Sequence, residues 1–150
     1  MVTDIAAPAM PKHKLDRDDQ ALVEAATRLI VRRYTENRHH IAAAVRTRSG
    51  KVYTGLHLDT YVGRASVCAE AVAVGRALSE DADPIVRIVS VRHPRPREEH
   101  REPQVVTPCG ICREMLNDFA PGAEAIVKLN GGLARVPVGE LLPNKYRRER

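Results

Sequence analysis

Apolar and polar positions repeat along this chain with two different periods, and the switches between them mark out its elements. From Asp16 the segment DRDDQALVEAATRLIVRRY puts Leu22, Ala25, Ala26, Leu29 and Ile30 on one helical face. Acids fill its first turn and arginines its last, as the helix dipole favours. IAAAVRT and KVYTGLHL then read as two strands flanking Ser49-Gly50, a turn short enough to join antiparallel neighbours. Helical spacing returns from Ser66 to Leu78, where Val67, Ala71, Val74 and Leu78 share a side. IVRIVSVR at 85–92 is a β-branched run suited to a buried strand. HPRPREEHREPQ, 93–104, carries three prolines among alternating charges and reads as a loop. After it, Thr107 as cap and Pro108 at the first position predict a helix through CGICREMLNDF. EAIVKL, Asn130-Gly131-Gly132 and LARVPV predict a second hairpin, and VGELL a closing helical turn.

This order of helix, two strands, helix, strand, helix, two strands predicts an α/β fold: a mixed five-stranded sheet in a three-layer α/β/α sandwich. A length of 150 residues, 43% of them hydrophobic, suits a single core and no more. Residues 1–14 read as a flexible N-terminal leader, 15–146 as one domain and 147–150 as a basic tail. No internal repeat is present.

With only 3% aromatic residues the core must be built from Ala, Val, Leu and Ile, and no platform for stacking bases is visible. The net charge of +5 is scattered apart from RRY at 32–34, the 92–101 segment and the terminal KYRRER. Solvated faces and a tail account for it, which argues against a nucleic-acid partner. No apolar run reaches transmembrane length, and MVTDIAAPAMPKHK lacks the basic start and apolar stretch of a secretory signal. The expectation is a cytoplasmic protein with no membrane partner.

Three cysteines do not suit a disulfide framework, and in a reducing compartment clustered cysteines point to metal or catalysis. Cys109 and Cys112 form P-C-G-I-C at a predicted helix start, where two thiolates can approach one metal and the helix N-terminus favours their charge. Alone, such a pair is equally a redox couple or two buried small residues. The third cysteine sharpens the choice. In SVCAEAVAVG, 66–75, Cys68 opens a small, apolar helix and Glu70 follows two residues later, where ordinary surface charge does not explain it. A ligand two residues before a non-ligand Glu, followed by P-C-x-x-C, is the zinc deaminase pattern, with Cys replacing His as first ligand. Three protein ligands leave a tetrahedral Zn2+ one position for water, whose pKa falls toward neutrality, and Glu70 is placed to shuttle its proton. Three thiolates give such a site excess negative charge, for which two helix N-termini and Arg113 are the candidate offsets.

Through G55-L-H-L-D-T, C68-A-E70, P108-C-G-I-C-R-E-M-L, G-A-E-A-I-V-K and V-G-E-L-L-P143 the chain resembles the zinc-dependent cytidine deaminase family, nearest its blasticidin-S deaminase branch. The likeness runs from Asp16 to Tyr146. It implies a hydrolytic deaminase of a small molecule, a cytosine-like nucleoside or related aminated heterocycle. It also implies a homotetramer, Zn2+ held by Cys68, Cys109 and Cys112, and Glu70 as the catalytic proton shuttle. The departures gather around the substrate. His57 and Asp59 stand where the family holds a ribose with Asn and Glu, and His39 falls near a base-packing Phe. Ala71 and Glu114 replace a common Arg and Gln. Tyr146 and the Arg-rich tail are candidates to close a neighbouring subunit's pocket. Two other readings stay open: an editing deaminase on single-stranded nucleic acid, and a non-catalytic zinc-stabilised module closed by His57, His93 or His100 as fourth ligand.

Overall fold

In the computed structural model, which describes residues 10–150, α1 (Arg17–Arg33) begins where the sequence places its acids. The Asp16 side chain accepts the Asp19 N–H at 2.8 Å and the Asp19 side chain accepts the Asp16 N–H at 3.0 Å, a reciprocal cap for two otherwise orphaned donors. Leu22, Ala26 and Ile30 are fully buried, with Ala25 and Leu29 flanking them, as the periodicity requires. β1 (Ile41–Thr47) and β2 (Val52–Leu56) form the first hairpin, and Gly50 supplies the left-handed turn at φ 96°. There follow α2 (Ala69–Glu80), β3 (Ile85–Arg92), β4 (Gln104–Val106), α3 (Gly110–Phe119), β5 (Glu124–Leu129) and β6 (Gly132–Pro137). A 3₁₀ turn at Val138–Leu141 closes the order.

The strands form one mixed sheet in the order β2-β1-β3-β5-β6, with β4 also paired to β3. β3 and β5 are parallel, and every other pairing is antiparallel. The period of two then sorts the core into layers. Ala42, Ala44, Val89, Val91 and Ile126 pack with α1 on one face. Ala43, Val45, Ile88, Ala125 and Val127 pack with α2 and Leu116 of α3 on the other. β1, with Ala42 through Val45 all at 0% exposure, is covered on both sides, and its alanines let the helices close on it. Gly55 does the same on β2: a Cβ there would lie 2.6 Å from the backbone N of Ala73 and 2.8 Å from Cβ of Val72. That close approach brings the N-terminus of α2 down onto the sheet. The three-layer architecture is as expected.

Four details differ from the sequence reading. Leu78 is 46% exposed, and the buried face of α2 is Ala69, Ala73, Val74 and Ala77. The expected face was counted from Val67, which precedes the helix. Thr107 and Pro108 do not start α3; the N-cap is Cys109, in extended backbone, just as Cys68 caps α2. A sixth strand, β4, emerges from the end of the 93–104 loop because its three residues continue the β5 side of the sheet along the far half of β3. Of the expected leader, residues 1–9 lie outside the described residues, while His13 already pairs with Arg135 of β6 through hydrogen bonds of 2.9 and 2.8 Å. Residues 147–150 are exposed. Among the described residues no helix is long and apolar enough to cross a membrane.

Candidate active site

The N-termini of α2 and α3 meet on the same face of the sheet, and each presents a cysteine there. Cys68 caps α2, Cys109 caps α3, and Cys112 lies in the first turn of α3. Their three sulfurs lie within 4.8 Å of one another, and Sγ of Cys68 is 3.6 Å from Sγ of Cys109. That is far beyond a disulfide bond of about 2.05 Å. It is close to the separation of about 3.8 Å that two sulfurs take on a tetrahedral zinc at about 2.3 Å from each. The donor set therefore fits zinc. In the absence of a cation the thiols differ. Burial pushes Cys68 up, and burial followed by the Glu70 charge pushes Cys112 far up. At Cys109 burial opposes ionisation, but the Cys112 backbone N–H and the thiol of Cys68 outweigh it and lower the pKa. Cys109 is the one sulfur of the three whose surroundings favour the thiolate.

Glu70 is only 5% exposed, in the first turn of α2. Its Oε2 accepts the Cys112 thiol proton at 3.0 Å, and its Oε1 accepts the hydroxyl of Ser90. It makes no ion pair among the described residues. Ser90, at 1% exposure on β3, is absent from the sequence reading. One signal was available: it shares strand parity with Ile88 and therefore faces α2, where a hydroxyl has no apolar role.

A cleft of 140 Å³ opens over these groups, lined by Ile41, His57, Cys68, Glu70, Thr107 and Cys109. A larger cavity of 720 Å³ lies elsewhere, between the end of α3 and the C-terminal tail, and contains no cysteine; chemistry, not size, locates the site. His57 thus reaches the cleft. Asp59 stands outside its lining, half-buried, with Oδ1 accepting the Ser66 hydroxyl at 3.5 Å and Oδ2 lying 3.8 Å from Nε2 of His40. His39 is held by its Nδ1 at 2.8 Å from the carbonyl of His57 and does not line the cleft. Arg113 does not face the sulfurs: its guanidinium donates to the carbonyls of Pro108 at 2.9 Å and Leu141 at 3.0 Å, tying α3 to the closing turn. Tyr146, 80% exposed, lines the other cavity with Phe119 and Lys145.

The sequence and the fold can be set beside known proteins at this point. Residues 16–128 match the cytidine and deoxycytidylate deaminase zinc-binding region. A blasticidin-S deaminase of Bacillus cereus is 42% identical over 139 residues, covering 93% of this chain and 99% of the relative. A cytidine deaminase of Halalkalibacterium halodurans is 27% identical over 135 residues, 88% of this chain and 96% of the relative. Among solved structures, the cytidine deaminase of Bacillus anthracis superposes with a TM-score of 0.71 at 26% identity, covering 85% of this chain and 88% of that one. The cytidine deaminase of Mycobacterium tuberculosis has the same fold, with a TM-score of 0.70 at 22% identity over 89% and 100% of the two chains. A sulfur triad at two helix ends, a buried glutamate beside it and a family match across both place this chain in the zinc-binding cytidine and deoxycytidylate deaminase family.

Proposed function

We propose that the substrate of this zinc-dependent hydrolytic deaminase is a cytosine-like nucleoside, with blasticidin S the first compound to test. The observation that carries the reading is Glu70: a carboxylate 5% exposed, without a cation of its own, beside three gathered sulfurs and open to a cleft. Cys68, Cys109 and Cys112 would hold the zinc. Bound there, it would supply the Lewis acidity that lets water attack at neutral pH. If Cys112 binds the metal as a thiolate, its proton leaves to solvent and Oε2 of Glu70 loses that donor, while Ser90 still holds Oε1. The freed oxygen is the one that can take one proton from the attacking water and pass it to the ring nitrogen, then take the second from the new hydroxyl and give it to the departing amine. Water adds at the amine-bearing carbon, the C–N bond breaks, and the products are the carbonyl compound and ammonia.

The 42% identity to a blasticidin-S deaminase supports that substrate, and His57 in the cleft supports a recognition different from that of an Asn-lined ribose site. The cleft is smaller than the pockets of about 300 Å³ and above that enclose most ligands, which fits a site completed by another copy. Ile111, Phe119 and Tyr146, exposed at 77%, 60% and 80%, support a homo-oligomeric assembly; its tetrameric form and a cytoplasmic location are carried over from the family resemblance alone. The test is ammonia release by the zinc-loaded protein from blasticidin S, cytidine, deoxycytidine and free aminated bases. Release that depends on Glu70 is expected from at least one compound, and silence across the panel with zinc bound overturns the reading.

A further inference from the structure

The turn between α1 and β1 holds a buried histidine whose Nε2 faces a donor and an acceptor at once. His40 is 6% exposed. Its Nε2 accepts the backbone N–H of Asn37 at 3.0 Å and lies 3.8 Å from Oδ2 of Asp59. Asn37 has φ 61°, a left-handed conformation that fixes the direction of that N–H. A ring nitrogen that accepts carries no proton, so the neutral ring is protonated on Nδ1, which is buried without a partner among the described residues. The ring stands edge-on to Tyr34 at 5.7 Å, and Tyr34 in turn stacks on His93 at 4.1 Å, which leaves little room to turn over.

The same turn grips the segment that reaches the cleft. The Asp59 N–H donates to the carbonyl of Arg38 at 2.9 Å, and the His40 N–H donates to Nδ1 of His57 at 3.4 Å. With Nδ1 of His57 accepting, its proton sits on Nε2, the nitrogen left for a partner in the cleft.

We propose that His40 is the positioning residue of this rim: as a neutral imidazole it leaves the Asp59 carboxylate free for a donor on the substrate's non-reacting end, and as an imidazolium it takes that carboxylate for itself. The inference rests on the deaminase reading in taking the cleft as the substrate site, and on a substrate larger than its 140 Å³ whose non-reacting end extends past His57 to Asp59, outside the lining. A proton arriving from solvent at Nε2 sets donor against donor at Asn37, and the nearest acceptor is then Oδ2 of Asp59. The groups facing His40 set where this exchange falls. Burial, the Arg95 guanidinium and the His57 ring hold it neutral, Arg92 adds to them, Asp59 opposes, and Tyr34, itself stacked on His93, packs edge-on against it. The His40 pKa is thereby lowered, so the exchange of partners belongs to mildly acid pH.

Two measurements test this. The first is long-range ¹H–¹⁵N NMR of the zinc-loaded protein without substrate, with the Asp59 carboxyl carbon followed in parallel. At about pH 7.5 His40 is expected to show a protonated Nδ1 and a bare Nε2. On acidification toward about pH 5 the Asp59 carbon should shift together with the His40 ring. Protonation on Nε2 at neutral pH, or an Asp59 signal that ignores His40, overturns the proposal. The second compares KM and kcat with pH in wild type and His40→Gln, whose amide oxygen can still accept from Asn37 but cannot be protonated. KM should rise about tenfold from about pH 7 to 5 in wild type, kcat should move less, and the rise should fall below about threefold in the variant. An unchanged rise overturns it. If no compound is deaminated by wild type, the deaminase reading fails alone, and the NMR result still decides the tautomer of His40 and its exchange of partners with Asp59.

Discussion

Asp19 and Glu70 are both buried acids in the first turn of a helix, exposed by 0% and 5%, yet their surroundings have opposite logic. Asp19 meets Arg87 at 3.0 Å, Arg135 at 3.3 Å and Arg46 at 3.4 Å, and also accepts the Asp16 N–H. Its charge is neutralised by residues from three strands, which fixes α1 to the sheet. Glu70 meets a hydroxyl and a thiol and no cation. Burial alone does not separate a structural carboxylate from a reactive one; the partners do. An acid already matched by arginines has nothing left to exchange, whereas one beside three sulfurs is completed only by an arriving metal and proton.

The widest separation between the two acids is expected in turnover. Glu70→Gln should lower kcat by about 10³-fold while zinc content, read by metal analysis, and melting temperature hold; surviving turnover would collapse the contrast. Asp19→Asn should act the other way, lowering unfolding free energy in urea by about 3 kcal/mol because three arginines lose their carboxylate, with kcat per folded molecule unchanged. Ser90→Ala sharpens the comparison on the catalytic side. Without the donor to Oε1, kcat should fall about tenfold, with little change in the urea midpoint. The smallest effect is expected at an acid that is neither buried nor near the cleft. Glu98 is held down to about 2, first by the Arg92 guanidinium at 2.8 Å and then by the Arg95 N–H. A depressed carboxylate stabilises above its unfolded pKa and loses that contribution as pH falls. Amide protection in the 93–104 loop, taken relative to the intrinsic exchange rate at each pH, should therefore fall only between about pH 4.5 and about pH 2, with the sheet unaffected. Protection already lost at neutral pH would show that Glu98 does not anchor the loop.

The parts of the site legible in the sequence are those whose chemistry breaks a local pattern. Glu70 in a small apolar stretch and P-C-G-I-C at a helix start both conflict with a plain core, and both lie at the cleft. Ser90 breaks no visible pattern in IVRIVSVR, because a serine is acceptable on either face of a strand until the strand's parity is known. His40 was hidden for another reason. His39 and His40 are adjacent and chemically identical, and only the direction of β1 decides which is buried. The cap at Thr107 had sound local chemistry, yet α3 starts two residues later with Cys109 in the N-cap position. The Asp19 network was illegible because Arg46, Arg87 and Arg135 come from strands far apart in the chain, where each reads as a surface charge. The three layers were readable, since they depend on periods of 2 and about 3.6 that need no tertiary information.

Cys68 and Cys109 are 41 positions apart: Cys68 caps the helix before β3, and Cys109 caps the helix inside the crossover from β3 to β5, the parallel pair of the sheet. That crossover is a long-range step in assembling this side of the domain, and closures of this kind are slow in folding. A chain that has not completed it offers a metal at most the local pair Cys109 and Cys112. Affinity for zinc therefore appears in one step, after the sheet is topologically complete. In a refolding experiment the metal is a passenger that boards a finished vehicle: chain collapse should proceed at the same rate with or without it, and only resistance to unfolding should register its arrival.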